Sequence, residues 1–442
     1  MRSFRIADDE AISHDKVKEA ILKPSKGKRN RADVARVLSN MEKSIQEVVE
    51  YEQGLVKGNI KLKKHDACII NERGPHKQRE ILKPDYMPEQ IIHHIAVDAV
   101  KDAVLHGMYI YVLGSVPGRG AHLGKKVIEK WLRTDEKNTK IVGKMDIRHF
   151  FQSVDHEILR KWIRKKIRPG EIRDLLEILI DACEIGLPLG YYTSQWFANF
   201  LLQPLDHYIK EELHIKYMTR YMDDIVIFGS SKKQIHEAVR SIRDYLMGNF
   251  NLEMKSNWQV FRLEYEVKEA AIVCGSIKEL EWMCKELDAM RIRYKCKVYR
   301  GKRRIFISEN QLNKRRAQYD AMIEKYRGSM QMLSMPHGRP LDYMGFEFRR
   351  NRTIIRESIM LRATRKAAQI SKQEHVCWKD ASSLLSYMGW FTHTDTYNAY
   401  QEWIKPNVSV KTMKKIVSKH QRRLNNADCM ERGYRIPAEQ AG

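Results

Sequence analysis

The sequence predicts an α+β fold in which antiparallel strands sit among amphipathic helices, and three observations carry that expectation. The run KYMTRYMDDIVIF, residues 216–228, is dense in Val, Ile, Tyr and Thr and holds no Gly or Pro. It reads as a β-hairpin with Asp223 and Asp224 at its tip. Elsewhere the apolar period becomes helical, as at positions 91, 92, 95, 96, 99, 100 and 104 within 88–109. Finally, 442 residues of 43% hydrophobic content exclude a disordered chain and allow a substantial core, divided among two or three lobes.

Charge narrows the function classes. Lys and Arg number 80 against 56 Asp and Glu, a net charge of +24. A polyanionic partner is expected, with nucleic acid the first candidate. An anionic membrane surface is the rival, but no apolar run reaches the ~18 residues a spanning helix needs, so no membrane partner is expected. The N-terminal MRSFRIADDE lacks the apolar stretch of a signal peptide, and the seven cysteines are scattered without a CxxC pair. Both point to reduced thiols in the cytoplasm and away from structural zinc.

In chain order, residues 1–60 form a charged helical extension with a basic stretch at 26–31, either a solvated face or a nucleic-acid contact. Lys77 and Arg79 alternate on a short extended segment, on one side of a strand where they can hold a triphosphate. The Gly-rich loop opening 114–132 feeds a helix but lacks the Gly-Lys-Ser/Thr ending of a P-loop; its Arg119 is a candidate phosphate contact. A strand at 140–147 ends near Asp146, Phe150 and Phe151 follow, and Asp155 is placed to cap a helix over 156–167. The segment 186–213 begins as a Gly/Pro loop, with Leu189 and Gly190, and becomes an apolar helix. An amphipathic helix over 231–250 precedes Lys255, which is expected at the start of another strand. Residues 270–310 suggest a small β-α-β-β unit, then a basic helical stretch at 311–327 and a Pro/Gly break at 336–340. LDYMGFEFRRNRTIIR, 341–356, reads as one hairpin turning at Arg350-Asn351. The remainder is helical and basic, and residues 405–423 carry seven Lys or Arg without an acid.

Adjacent carboxylates repel, and burying them uncompensated raises at least one pKa. A divalent cation removes that cost, and Mg²⁺ takes only one or two protein carboxylates, leaving its other positions to water and phosphate. A solvated Asp-Asp turn is the plain alternative for an isolated pair. A strand ending in Asp146, with a tight turn beyond it, adds a second place to bind metal and phosphate together.

Taken in order, the KxR strand, the Asp146 strand with Phe151 five residues on, the Gly-containing loop before a helix, the YMDD hairpin, the following Lys and the YMGF hairpin resemble the ordered motifs of a reverse transcriptase over roughly 75–350. The segment LPLGYYTSQWFANFLLQPLDHYIK, 187–210, is most similar to bacterial reverse transcriptases of diversity-generating retroelements and the related unknown-group enzymes, many of them phage-defence proteins. Group II intron enzymes usually show Gln-Gly and Ser-Pro where this chain has Leu189-Gly190 and Ser194-Gln195, and the retron Val-Thr-Gly signature is absent. The resemblance implies a right-hand polymerase: fingers at 61–139, a palm at 140–262 whose antiparallel sheet carries the YMDD hairpin, a small inserted unit at 263–338, a primer-grip hairpin at 339–358, and a helical basic thumb and tail from 359 to 442.

It also implies roles. Asp146 and Asp223 would hold two Mg²⁺ ions, or Mn²⁺, beside the backbone of Ile147, with Asp224 contributing less. The backbone of Ile147, His149 and Phe150 would cradle the dNTP triphosphate and Lys77 and Arg79 would pair with its oxygens. Leu189 and Gly190 would border the nucleotide, Leu189 replacing a Gln that in many relatives hydrogen-bonds there. Phe151 would exclude a ribose 2′-hydroxyl, and Lys255 would act as an acid toward pyrophosphate. Tyr343, Met344, Gly345 and Phe346 would form the primer grip. Arg119 and the tail cations Lys411, Lys414, Lys415, Lys419 and Arg422 would bind RNA. The implied activity is synthesis of cDNA from dNTPs on a dedicated non-coding RNA, in anti-phage defence because the 263–338 segment and basic tail exceed the diversity-generating pattern. Mutagenic diversification of a target gene is the alternative, and a non-catalytic RNA-binding scaffold is the alternative of another class.

Overall fold

The computed structural model describes residues 3–71, 78–299, 302–308 and 330–431. Lys77 and the basic helix expected at 311–327 lie outside the described residues. Four helices open the chain: α1 (Asp8–Ala11), α2 (His14–Ser25), α3 (Ala32–Ser39) and α4 (Met41–Val56). A hairpin of β1 (Ala67–Asn71) and β2 (Gln78–Leu82) leads to α5 (Ile91–Leu105) and α6 (Ala121–Thr134). Then come β3 (Ile141–Asp146), α7 (His156–Lys166), α8 (Glu171–Ile180), α9 (Tyr192–Leu201) and α10 (Gln203–His207). The strands β4 (Tyr217–Tyr221) and β5 (Asp224–Gly229), helix α11 (Lys232–Phe250) and strand β6 (Gln259–Arg262) complete this part.

The opening helices are not a solvated appendage. Val17, Ile21, Val34 and Val48 are fully buried in one core with Ile91 and Ile92 of α5 and Leu175 and Ile180 of α8. Asp8 accepts the amides of Glu171 and Ile172, both at 3.1 Å, and so satisfies two first-turn donors of α8 from a distant part of the chain.

The central sheet runs β4-β5-β3-β6, each neighbour antiparallel. Residues alternate between its faces. Met145, Ile225 and Ile227 pack with Phe197 and Phe200 of α9 and Ile235 and Ile242 of α11. Val142, Val226, Phe228 and Phe261 pack with Ile128 and Trp131 of α6 and with Leu341, Tyr343, Phe346 and Phe348 from further along. Covered on both sides, the central strand β5 reads as an unbroken apolar run from Ile225 to Phe228. Asp155 caps α7 as its position predicted, accepting the amides of Glu157 at 2.9 Å and Ile158 at 3.1 Å.

After β6 the chain builds a separate sheet from β7 (Tyr265–Cys274), α12 (Ile277–Ala289), β8 (Lys295–Tyr299), β9 (Lys302–Ser308) and β10 (Met330–His337). It then forms β11 (Leu341–Tyr343), β12 (Phe346–Phe348) and β13 (Thr353–Ile355). Helices α13 (Glu357–Ile370), α14 (Trp378–Thr392), α15 (Tyr397–Ala399) and α16 (Val410–Glu431) follow around a core of their own that includes Ala363, Ala367, Leu384, Ile404 and Met413.

Four expectations change. Asp223 sits in the hairpin turn but Asp224 already begins β5, paired with Asp146. Lys255 precedes β6 in a loop, because Met254 bridges to Ile147 and Lys255 donates its amide to the Asp146 carbonyl at 2.9 Å. The stretch 341–356 is a three-stranded meander, since Met344 and Gly345, at φ 51° and 85°, make a tight first turn ahead of the one at 349–352. Pro336 does not break the chain: it lies in β10, at the edge of its sheet, where its missing N–H is tolerated.

Candidate active site

Sheet register assembles the carboxylates. β3 ends at Asp146 opposite Asp224, and the Ile147 amide donates to the Asp223 carbonyl at 3.3 Å, so all three carboxylates gather at one sheet end. That bond occupies the Ile147 amide, which was expected to face a triphosphate. Two lysines approach: Lys255 Nζ lies 2.7 Å from Asp146 Oδ1, and Lys144 Nζ lies 4.0 Å from Asp224 Oδ2 while donating to the Asp342 carbonyl at 2.6 Å. The Tyr343 hydroxyl donates to the Asp224 carbonyl at 3.3 Å, tying the meander to the site's backbone.

Burial pushes the Asp223 carboxyl up, and the Asp146 charge adds to this. Burial pushes Asp224 up to about 7, with Lys144 opposing and Asp146 and Asp223 reinforcing. Asp224 Oδ1 is buried without a hydrogen-bond donor among the described residues. Desolvated, mutually repelling carboxylates with an orphan oxygen are what a divalent cation would compensate. Among the described residues no three His, Cys, Asp or Glu side chains converge to enclose an ion on their own. The donor set fits a hard cation that keeps water and substrate oxygens in its shell.

Beside the carboxylates opens a cleft of about 530 Å³ lined by Arg79, Glu80, Ile147, His149, Phe150, Phe151, Leu189, Asp223 and Lys255, among others. Arg79 comes from β2, and its charge acts on Asp223. His149, at φ 45°, opens a 3₁₀ turn over Phe150–Ser153, whose first amides have no acceptor within the turn. Phe150 is buried as core, and the half-buried Phe151 ring lies 5.5 Å from it.

The loop holding Leu189 fixes both walls of this cleft. Leu187 donates its amide to the Phe151 carbonyl at 2.6 Å, and the Leu189 carbonyl accepts the Leu82 amide at 2.8 Å. Gly190 has φ 110°, and a Cβ there would drive into the Leu82 carbonyl and sit 2.7 Å from Ile81 Cγ2, so only glycine lets loop and strand meet. Gly345 is similarly required, with φ 85° and the Trp390 ring 2.6 Å from where a Cβ would be.

Other expected contacts fall elsewhere. Tyr343 and Phe346 are fully buried behind the sheet. Arg119 is half-buried: its Nη1 donates to the carbonyls of Tyr109 at 2.6 Å and Val112 at 3.2 Å, and burial lowers its pKa. That nitrogen ties the guanidinium to the backbone just ahead of its loop. Lys411, Lys414 and Lys415 line a shallow groove on α16, with Lys419 and Arg422 exposed on the same helix, apart from the cleft.

One group was not anticipated. Arg220, fully buried in β4, binds both oxygens of the buried Asp206, at 2.8 and 2.6 Å. It also donates to Asn199 Oδ1 at 3.0 Å and to the Met222 carbonyl at 3.1 Å. Met222, at φ 57°, is the turn residue before Asp223, so this guanidinium holds the turn from behind. The signal was present: an Arg inside an apolar strand, and an Asp and an Asn inside apolar helices, each need a buried partner.

Residues 98–263 match the family model described as Reverse transcriptase (RNA-dependent DNA polymerase). A curated relative, the Retron Ec73 reverse transcriptase of Escherichia coli, is 29% identical over 114 residues, covering 23% of this chain and 36% of that protein. The chain thus spans about a third of the curated relative it matches. Among solved structures, apo telomerase from Candida tropicalis truncated from its C-terminal domain aligns with TM-score 0.35 and 11% identity, over 50% of this chain and 55% of that one. Telomerase from Candida albicans with a fragment of telomeric RNA aligns with TM-score 0.33 and 11% identity, over 49% and 45%. The matched segment contains β3 to β6 and their carboxylates, and the fold is the right-hand polymerase class with an antiparallel palm sheet.

Proposed function

We propose, from a reverse transcriptase segment that carries an intact carboxylate cluster, that this chain is an RNA-directed DNA polymerase. The observation that carries the reading is the juxtaposition of Asp146, Asp223 and Asp224 with a cleft that also holds Arg79, Phe151 and Lys255. Asp146 and Asp223 would hold divalent cations, with Mg²⁺ or Mn²⁺ both compatible with the oxygen donors. When bound, such ions supply activation of a primer 3′-hydroxyl and neutralisation of the leaving pyrophosphate.

The chain's own groups do the rest. Arg79, with Lys77 as its sequence partner, pairs with triphosphate oxygens, and the leading amides of the turn opened by His149 receive the anion. Phe151, its backbone pinned by Leu187, would set its ring against the ribose 2′ position and so select dNTPs. Lys255, 2.7 Å from Asp146, would protonate pyrophosphate as it leaves. The meander of β11–β13 supports the primer end from behind the sheet, through Lys144 and Tyr343. A purified chain given a primed RNA template, four dNTPs and Mg²⁺ is expected to extend the primer, and prior digestion of the RNA should abolish the product.

The finer reading is that the template is a dedicated non-coding RNA used in anti-phage defence. It is favoured by the separate 265–337 sheet and the basic tail, both beyond the diversity-generating pattern. Co-purified RNA should be one dominant species, and cells expressing the chain should resist phage only with Asp223 and Asp224 intact. A spectrum of unrelated RNAs, or mutagenic cDNA that diversifies a target gene, would speak against it.

A further inference from the structure

The sheet inserted between β6 and β11 has a defined topology. Its order is β10-β7-β9-β8, antiparallel throughout, with α12 between the first two strands in sequence and the last strand returning beside the first. This is the split βαβ plan. A short neck joins it to the palm: Glu264 donates its amide to the Arg339 carbonyl at 2.9 Å, Arg339 donates its own to Arg262 at 3.1 Å, and the Arg339 guanidinium lies 4.0 Å over the Phe261 ring.

The two faces of this sheet differ in chemistry. Ile272, Cys274, Ile305 and Ile307 pack on Met283 and Leu287 of α12, which closes one face. Paired residues on neighbouring strands point to the same side, so Lys295, opposite Phe306, and Lys297, opposite Arg304, belong to the other face. Lys302 joins them by alternation along β9, and all three lysines are exposed. The stretch KCKVYRGKRR, 295–304, holds six cations and no acid, whereas α12 carries Glu279, Glu281, Glu286 and Asp288 against Lys278 and Lys285. Positive charge is therefore concentrated on β8 and β9, with Glu266 and Glu269 on β7, and negative charge on the covering helix.

We propose that the Lys295, Lys297 and Lys302 face grips single-stranded RNA, namely template beyond the duplex engaged by the palm. The inference deepens the polymerase reading and rests on it for the identity of the RNA. Charge complementarity selects a polyanion, and the face offers phosphate contacts rather than base contacts. Phe306, the ring on its central strand, is 2% exposed and presents no surface for a base to stack on. Binding is therefore independent of base sequence.

The test uses the full chain with Lys295→Gln, Lys297→Gln and Lys302→Gln combined, substitutions of exposed side chains that leave the core untouched. Fluorescence anisotropy across a salt series would use single-stranded oligo-A and oligo-U RNA and a DNA of matching length. Three lost contacts at ~0.7 each should lower the log–log salt slope for RNA by about 2, equivalent to roughly 50-fold weaker binding near 0.15 M salt if the affinities converge at 1 M. The loss should be equal for both RNA sequences, with extension of a saturating primer–template lacking a long overhang unchanged. An unchanged slope, or a loss confined to DNA or to one base composition, overturns the proposal. A wild-type chain that shows the expected RNA slope but extends no primer supports this contact and overturns the polymerase reading, so the two failures are separate.

Discussion

Arg220 and Asp206 form a fully buried pair whose removal should separate folding from catalysis. Truncating one partner alone, as in Asp206→Ala, leaves a guanidinium with no counter-charge in the interior, and such changes cost about 3–5 kcal/mol. Replacing both, as in Arg220→Met with Asp206→Leu, removes the charges together and is often near neutral. Asn199 keeps its 2.8 Å bond to the Gly114 carbonyl but loses the Arg220 donor on its own oxygen, a deficit of about 1–3 kcal/mol. The double variant should thus be about 1–2 kcal/mol less stable than wild type, and distinctly more stable than Asp206→Ala. It also lacks the bond to the Met222 carbonyl, so the turn carrying Asp223 loses its support from behind. Urea unfolding followed by circular dichroism measures the first effect and single-turnover primer extension the second. Expected is a folded double variant whose extension falls at least tenfold. Extension at the wild-type rate, or an Asp206→Ala variant within 1 kcal/mol of wild type, would refute the reasoning.

Glu52 is fully buried with both carboxylate oxygens unpartnered among the described residues, and burial, then the charges of Glu171 and Asp8, raise its pKa to about 7. Because the native state holds this proton more tightly, stability should fall as pH rises from about 4.5 toward 7 and then level. Glu52→Gln should therefore stabilise by roughly 1–3 kcal/mol at pH 8 and little at pH 4.5, read as a pH-dependent difference in denaturation midpoint. Phe151→Ala should raise rNTP incorporation relative to dNTP by an order of magnitude or more in competition assays, leaving RNA binding as it was. Changing Lys411, Lys414, Lys415 and Lys419 to Gln should lower the salt slope of RNA binding by about 2–3, with turnover at saturation much less affected.

What was readable in the sequence was local. The β-branched runs around Asp223, the strand ending at Asp146 and the Asp155 cap each depend on neighbours a few residues away, and the structure shows all three. The three-stranded meander was misread as one hairpin because its first turn places Met344, a non-glycine residue, at positive φ. The bonds of Arg119 to the Tyr109 and Val112 carbonyls were not legible, because nothing in a Gly-rich loop reveals which earlier carbonyls meet the guanidinium. The Arg220 pair joins a strand to a helix through the tertiary fold, so only the oddity of each buried polar residue was visible. The lineage reading was narrower than the relatives support: the curated match is a retron enzyme although the Val-Thr-Gly signature is absent, and it speaks for bacterial reverse transcriptase without choosing a branch.

DNA synthesis on RNA is assigned to the carboxylates where β3 ends and β5 begins. It is tested most directly by primer extension on an RNA template with the wild type and the combined Asp223→Ala, Asp224→Ala variant side by side, each first matched for RNA affinity and unfolding midpoint. The account predicts template-dependent DNA from the wild type and none from the variant, with both proteins folded and binding RNA equally. DNA synthesis by the variant at the wild-type rate would contradict it.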